Sequence, residues 1–352
     1  MDQPKPTLTP PGREQMTSPE ISAVLARYEL GKLLSIRELR AGDPGSPKAR
    51  IECARGSLLL KRRSRACDDP YLVAFQHGLQ LHLETRAYPV APLLGTRDEN
   101  NSMVQQDGHV YELFRYIDAL PSDGSEACAE LAGASLARLH GLSEAFRSSW
   151  TAPEDRSSAL ERVRRRLSRL CEARPELETA CQRLLVLAEW AHHALQSLGL
   201  DRTPSRVIHG DWHPGNTLFH DGRLVAVIDF DAARMGELAV DLAQGLVQFS
   251  VAGGGDDPDS WPETPEMGRL VALWRGYACD SSGTTRAREL ARAAPLLMAE
   301  TLVKEGAAGV GADGNAGRRP GNAFLAAVAR KGEWLESNAQ TLSETLRGAS
   351  TG

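Results

Sequence analysis

The sequence predicts an α+β fold of two lobes, with a small antiparallel sheet in the first lobe and mainly helices in the second. Two observations support this prediction. Short runs typical of strands are concentrated before residue 120, and long segments with apolar residues at three- and four-residue spacing dominate after it. The length of 352 residues is also enough for about two domains.

The predicted amino-terminal lobe covers residues 18–120 and follows a disordered tail at residues 1–17. A short helix opens it, and three strand patterns follow in LLSIRELRAG, ARIECARG and SLLLKRRS. A helix then begins near Asp69 or Pro70 and ends before Pro89. Two more strands flank Asp107-Gly108, a strong hairpin signal. The order of three strands, a helix and two strands predicts one small antiparallel sheet.

The predicted carboxy-terminal lobe covers residues 121–345, because helical periodicity takes over there. Three helical segments lie between residues 127 and 199, and three more follow residue 266. Two short apolar runs, RVIHG and LVAVIDF, interrupt the helices. They predict a loop and short strands laid on a helical lobe.

Composition and charge limit the classes of partner. The net charge of −5 gives no basic excess for nucleic acid, and the run RVRRRLSRL fits the exposed face of an amphipathic helix, with an anionic partner as the alternative. No apolar run reaches the ~18 residues that span a membrane. The six cysteines form no CxxC pair, which disfavours a zinc site or a disulfide framework. We expect a cytoplasmic protein that binds neither nucleic acid nor membrane, and no pattern indicates an oligomeric state.

One segment carries residues suited to phosphoryl transfer. His209, Asp211 and Asn216 stand in HGDWHPGN, and Asp229 follows in IDFD, thirteen residues after Asn216. In that reaction an Asp orients the attacking hydroxyl, an Asn five residues on binds Mg²⁺, and a later Asp binds Mg²⁺ that bridges the phosphates. Catalysis depends on neutralising charge and aligning the attacking oxygen. Magnesium prefers the oxygen ligands that Asn216 and Asp229 offer.

The segments HGDWHPGN, IDFD and VDLA resemble the signature of the aminoglycoside phosphotransferase, choline kinase and type II homoserine kinase superfamily. The resemblance covers roughly residues 30–310 and implies a protein-kinase-like fold, ATP and Mg²⁺ as cofactors, and a small-molecule hydroxyl acceptor. It makes Asp211 the catalytic base and Asn216 and Asp229 the metal ligands. His209, grouped with Asp211 in the catalytic set, would brace the loop. Two further aspartates follow: Asp241 resembles a buried structural carboxylate, whereas Asp231 either approaches the metal or substrate or caps the next helix.

The amino-terminal lobe is expected to bind ATP. Lys61 lies on the third strand, where a kinase lysine pairs with the nucleotide phosphates, and the neighbouring Arg62 and Arg63 are the alternatives. The position of the helix glutamate that pairs with such a lysine is occupied by Gln76, which can donate or accept a hydrogen bond but adds no charge. The segment from Arg115 to Ile117 resembles the hinge, whose backbone contacts adenine.

The sequence leaves three alternatives to a small-molecule kinase. A protein kinase is disfavoured, because only eleven residues separate Asp229 from Asp241 and leave no room for an activation loop. A metallophosphatase using His209, Asp211 and His213 is disfavoured, because only one histidine follows Asn216. A catalytically weak or dead kinase fold that acts as a nucleotide sensor or scaffold is favoured by Gln76, and it predicts nucleotide binding without transfer.

The acceptor pocket is expected in the helices after residue 243 and in the insertion at residues 150–200. The identity of the acceptor stays open among homoserine, choline, another amino alcohol, a sugar and a protein serine.

Overall fold

The computed structural model describes residues 14–40, 42–150, 159–199, 205–251, 257–279, 284–309 and 321–349. Residues 1–13 of the predicted tail lie outside these ranges. Glu14 lies inside them: its N–H donates to Pro44 O at 3.0 Å and its carboxylate accepts from Arg62 at 2.6 Å.

A five-stranded antiparallel sheet forms the amino-terminal lobe, in the order β1-β2-β3-β5-β4. Its strands are β1 (Leu33–Leu39), β2 (Lys48–Cys53), β3 (Gly56–Arg62), β4 (Val104–Gln106) and β5 (His109–Arg115). The predicted hairpin at Asp107-Gly108 is confirmed, with φ of 51° and 72° at its two residues. Such values favour glycine and aspartate and fit the right-handed twist of the strands.

Two helices accompany this sheet, α1 (Ser18–Leu25) and α2 (Pro70–Glu84). The helix α2 begins where the sequence predicted, since the Asp69 carboxylate caps it by accepting from the N–H groups of Tyr71 and Leu72. Its residues Phe75, Leu79 and Leu83 pack into the larger hydrophobic core of the carboxy-terminal lobe. The helix therefore couples the sheet to the helical lobe.

In the described ranges of the carboxy-terminal lobe there are seven α-helices. They are α3 (Glu126–Ser143), α4 (Ala159–Ala173), α5 (Glu178–Ser197), α6 (Leu238–Phe249), α7 (Met267–Cys279), α8 (Thr284–Gly309) and α9 (Gly321–Ala349). Helices α3 and α7 approach most closely at two glycines. A Cβ on Gly133 would lie 2.0 Å from Leu273 O, and one on Gly276 would lie 2.0 Å from Glu130 O. Only glycine permits this backbone contact.

Five short strands, all from the part of the chain that the structure describes, lie among these helices, and loops connect them. They are β6 (Leu120–Pro121), β7 (Arg206–Ile208), β8 (Thr217–His220), β9 (Arg223–Val227) and β10 (Arg234–Gly236). Strands β6, β8 and β9 form one antiparallel sheet, and β7 pairs with β10. The sequence predicted β7 and β9 but missed β8, although Asp221-Gly222, with φ of 48° and 70°, is the same kind of hairpin turn as Asp107-Gly108.

No helix in the described parts of the chain is long and apolar enough to cross a membrane.

Candidate active site

Helix α6 holds the loop that follows β7 through hydrogen bonds to the loop backbone. The buried Asp241 in the first turn of α6 accepts from the N–H groups of His209 at 2.7 Å and Gly210 at 2.8 Å. Its carboxylate also lies 3.2 Å from His140 Nε2. Burial opposes the ionisation of Asp241, but its bond and charge interaction with His140 and the bond from Gly210 keep its pKa below the ordinary value. A buried anion thus fixes the start of the loop.

His209 lies underneath the loop and is fully buried. Its ring packs against Trp212 and Phe230, with centroid distances of 5.4 and 4.7 Å. Nδ1 accepts from Asp211 N at 3.3 Å, and Nε2 lies 3.2 Å from Ile228 O. Burial lowers the pKa of His209, so the neutral ring can donate from Nε2 and accept at Nδ1. The geometry gives His209 a positioning role.

Asp211 and Asn216 lie side by side at the top of the loop. Asn216 Nδ2 donates to Asp211 O at 2.9 Å and to Asp211 Oδ2 at 3.0 Å. His213 Nε2 lies 3.4 Å from the same carboxylate. Burial raises the pKa of Asp211, but the hydrogen bond and charge of His213 outweigh it and keep the pKa below the ordinary value. The carboxylate is therefore ionised near neutral pH and able to accept a proton.

Asp229 follows β9 in a left-handed conformation, with φ of 63° and ψ of 65°. Non-glycine residues adopt this conformation at a cost of roughly 1–2 kcal/mol. Strand β9 before Asp229 and the 3₁₀ turn after it hold the residue in this conformation. Ile228 N donates to Asn216 O at 3.0 Å and thereby joins the two loops. Burial raises the pKa of Asp229, but the charges of Lys61 and Lys48 lower it well below the ordinary value.

Lys61 extends from β3 to the loop after β9. Its Nζ lies 2.9 Å from Asp229 Oδ1 and 2.6 Å from Asp231 Oδ1. Burial disfavours the ammonium, but the two carboxylates outweigh burial and raise the pKa of Lys61. Arg62 lies on the opposite face of the strand and pairs with Glu20 and Glu14. The structure thus separates Lys61 from Arg62 as candidates for the nucleotide phosphates.

The expected pairing of Gln76 with Lys61 does not occur among the described residues. Gln76 Oε1 accepts from Arg63 at 2.7 Å, and Gln76 Nε2 donates to Asp231 O at 2.6 Å. Arg63 also donates to the buried Glu112 at 2.6 Å and lies 3.3 Å from Asp231 Oδ1. The reason is geometric, because Arg63, the first residue after β3, lies between Lys61 and helix α2 and donates to Gln76 Oε1.

Asp231 lies between two cations, Lys61 on β3 and Arg63 directly after it. Burial raises its pKa to about 6, and Lys61 and Arg63 oppose this shift. The sequence predicted two alternative roles for Asp231: approach to the metal or substrate, or capping of the next helix. The structure gives it ion pairs with Lys61 and Arg63, within a short 3₁₀ turn.

Lys48 lies near the same aspartates as Lys61, although the sequence patterns did not predict a role for it. Lys48 lies directly opposite Lys61 in the β2–β3 pairing. Burial and the charge of Lys61 lower its pKa, while Asp229 and Asp231 oppose this. Among the described residues no hydrogen bond or ion pair holds the Lys48 ammonium. The signal was present in the sequence, since counting back from the two-residue turn between Cys53 and Gly56 brings Lys48 opposite Lys61.

The hinge segment lies at the end of β5. Arg115 N donates to Pro92 O at 2.9 Å and Tyr116 N to Ser57 O at 3.0 Å, so these two donors are occupied. The N–H of Ile117 has no acceptor in the part of the chain that the structure describes. Ile117 N–H and the carbonyl of Arg115 are therefore the backbone groups to consider for an adenine edge.

The residues fit a magnesium ion together with nucleotide oxygens. Asn216 uses Nδ2 on Asp211, and its Oδ1 accepts no hydrogen bond from the described residues. Asp229 is ionised and uses one oxygen on Lys61. An amide oxygen and a carboxylate oxygen, completed by phosphate and water, form the donor set that Mg²⁺ prefers. Within the described ranges no cluster of three or more His, Cys, Asp or Glu residues forms an all-protein metal site.

Known proteins share part of this sequence and the overall fold. A homoserine kinase of Chelativorans sp. (strain BNC1) is 29% identical over 234 residues, which cover 64% of this chain and 68% of that protein. An amicoumacin kinase solved with AMP-PNP, Ca²⁺ and Ami has a TM-score of 0.62 at 13% identity and covers 92% of this chain and 96% of its own. A choline kinase from Cryptosporidium parvum Iowa II has a TM-score of 0.61 at 10% identity, covering 89% and 93% of the two chains.

The two lobes and their cleft define a protein-kinase-like fold, as the sequence predicted. The model of the phosphotransferase enzyme family matches residues 39–290. The chain belongs to the phosphotransferase enzyme family.

Proposed function

We propose that this protein transfers the γ-phosphoryl group of ATP to a hydroxyl group of a small metabolite. The observation that supports the proposal best is the convergence of Asp211, Asn216, Asp229 and Lys61 in one cleft between the lobes. These residues come from β3, the loop after β7 and the loop after β9, and their charges interact. A structural role alone does not require an ionised carboxylate beside an amide and a second ionised carboxylate.

Asp211 would act as the base. The acceptor oxygen forms a bond to the γ-phosphorus while the bond from that phosphorus to the bridging oxygen of ADP breaks, and Asp211 takes the hydroxyl proton. The low pKa of Asp211 suits orientation of the hydroxyl more than early deprotonation. Asn216, bonded to the same carboxylate, fixes the direction of the oxygen that accepts the proton.

Lys61 and Lys48 would bind the phosphates. Lys61 pairs with Asp229 and Asp231. The phosphate groups carry more negative charge than the carboxylates and would attract the Lys61 ammonium more strongly. Lys48, opposite Lys61 on β2, supplies a second cation. Asn216 and Asp229 would hold Mg²⁺, which when bound neutralises phosphate charge.

The test is release of ADP from Mg·ATP with a panel of amino alcohols, sugars and nucleosides, including homoserine because a relative carries that name. Asp211→Asn is expected to lower acceptor-dependent turnover by at least ~100-fold. Asp221→Asn is the matched control, because Asp221 lies in the exposed β8–β9 turn and asparagine tolerates its left-handed φ.

Two results would count against the proposal. Full acceptor-dependent turnover by Asp211→Asn would refute the role of Asp211. Binding of ATP without stimulation by any acceptor would favour a nucleotide sensor, the alternative suggested by Gln76. The ion pair of Lys61 with Asp231 argues against that alternative, since Asp231 supplies beside Lys61 the negative charge that Gln76 lacks.

A further inference from the structure

Two cysteines face each other across the helical hairpin formed by α4 and α5. A short turn separates the end of α4 at Ala173 from the start of α5 at Glu178, so the helices run antiparallel and pack against each other. Cys171 lies in the last turn of α4 and Cys181 in the first turn of α5. The hairpin therefore brings together two thiols that no short sequence motif links.

The two thiols are in direct contact, and both are free in this structure. The thiol of Cys181 hydrogen-bonds that of Cys171. Other cysteines have different partners: the thiol of Cys53 donates to Gly56 O, and that of Cys67 bonds Ser64. Joining Cys171 to Cys181 thus requires little movement of the helices.

The surroundings of the two sulfurs differ. Cys181 is only 2% exposed and belongs to the hydrophobic core, whereas Cys171 packs against that core and stays partly exposed. Burial raises the pKa of Cys181 to about 12, and the hydrogen bond and charge of Cys171 add to this shift. Cys181 therefore keeps its proton and donates it towards Cys171. Since a donor stabilises a neighbouring thiolate, the reactive form of cysteine, Cys171 is the sulfur that an oxidant attacks first.

We propose that Cys171 and Cys181 form a reversible intramolecular disulfide when the protein meets hydrogen peroxide. The sulfur of Cys171 attacks one peroxide oxygen, the O–O bond breaks, and Cys171 becomes a sulfenic acid as one water leaves. The sulfur of Cys181 then attacks that of Cys171 and gives up its proton, and the S–O bond breaks to release a second water. The two electrons lost by the thiols reduce the peroxide, and a dithiol reductant reverses the disulfide by exchange.

The disulfide would act as a staple on the hairpin. It closes a loop of eleven residues around the turn between α4 and α5. Such a bond stabilises the folded protein mainly by restricting the unfolded chain. Oxidation should therefore raise the melting temperature of the wild type by roughly 5 °C, and reduction should reverse the change.

Peptide mapping of the full-length protein tests the proposal. After treatment with peroxide the protein is denatured, alkylated and digested with trypsin, which leaves residues 170–183 as one peptide because Arg174 precedes Pro175. In the oxidised sample this peptide should carry no alkyl group and lack two hydrogen atoms, whereas after dithiothreitol it should carry two alkyl groups. Further cleavage after Glu172, Glu176 and Glu178 should leave two fragments joined through their sulfurs.

Single variants test the order of the two steps. Cys181→Ser should stop at the sulfenic acid of Cys171, which dimedone labels, whereas Cys171→Ser should leave Cys181 free for alkylation and abolish the rise in melting temperature. Cys67→Ser removes another partly exposed thiol and should form the disulfide as the wild type does.

Two alkyl groups on the peptide of residues 170–183 after peroxide treatment would overturn the proposal. A disulfide from Cys171 or Cys181 to any other cysteine, in the same chain or in a second copy, would overturn it as well. Dimedone labelling of Cys181 in Cys171→Ser would refute the assignment of Cys171 as the first sulfur to react. None of these results depends on the kinase function.

Discussion

The ammonium of Lys61 lies 2.9 Å from Oδ1 of Asp229, although the two residues are 168 positions apart. Lys61 belongs to the sheet and Asp229 to the loop after β9, so this partly buried ion pair joins the two sides of the cleft. The same lysine contacts Asp231. Lys61 therefore holds the loop after β9 against the sheet through both aspartates.

Replacement of Lys61 by Met should destabilise the protein. Lys61→Met removes the buried cation from two partly exposed carboxylates, so the cost should stay below the about 3–5 kcal/mol of breaking a fully buried ion pair. We expect a lower free energy of unfolding in urea without nucleotide, and weaker ATP binding by calorimetry. Lys32→Met, at an exposed position, is the control. Equal unfolding curves for Lys61→Met and the wild type would show that the carboxylates do not need this cation.

Replacement of Asp229 by Asn should uncouple ATP binding from magnesium. The amide keeps the size of the side chain but removes the negative charge expected to bind the metal. In the wild type, removal of Mg²⁺ with a chelator should weaken ATP binding, whereas in Asp229→Asn the affinity should be nearly the same with and without Mg²⁺. Asp221→Asn should behave like the wild type. An undiminished effect of Mg²⁺ in Asp229→Asn would exclude Asp229 as a ligand.

Glu300 predicts a pH dependence of stability. Burial and the charge of Glu237 raise its pKa to about 7. The folded state thus binds this proton more tightly than the unfolded chain, so the stabilisation is complete below the ordinary glutamate pKa and is lost as the pH rises through about 7. Relative to Glu300→Gln, the wild type should lose on the order of 2 kcal/mol of unfolding free energy across this range.

The measurement is urea unfolding of both proteins at several pH values between about 5 and 8. Glu289→Gln, at an exposed position of the same helix, should track the wild type throughout. Parallel stability curves for Glu300→Gln and the wild type would show that Glu300 has an ordinary pKa in the folded protein.

The contact of α3 with α7 predicts a sharp difference between two glycines of one helix. In Gly133→Ala the new Cβ would lie 2.0 Å from the carbonyl oxygen of Leu273, so the helices must separate. We expect a loss of about 1–3 kcal/mol, as for overpacked cores. In Gly141→Ala the Cβ meets nothing within 4 Å, and the better helix former should leave stability equal or raise it. Thermal unfolding distinguishes the two, and equal melting temperatures would contradict the close approach.

Much of the fold was predictable because its signals are local. The cap at Asp69, the turn at Asp107-Gly108 and the periodicity of the long helices each depend on neighbours in the chain. The strand β8 was missed although its turn is equally local. The boundary near residue 121 remains a prediction, as do the roles of the individual site residues.

The sequence by itself determined that Asp211, Asn216 and Asp229 come in the order and spacing of a phosphoryl-transfer site, because short loops between short strands keep such residues together. Only the tertiary structure decided which partners they have. Lys61 meets Asp229 and Asp231, and Gln76 meets Arg63. The contacts of Lys61 join residues of opposite lobes, and packing of hydrophobic cores rather than local spacing brings such residues together.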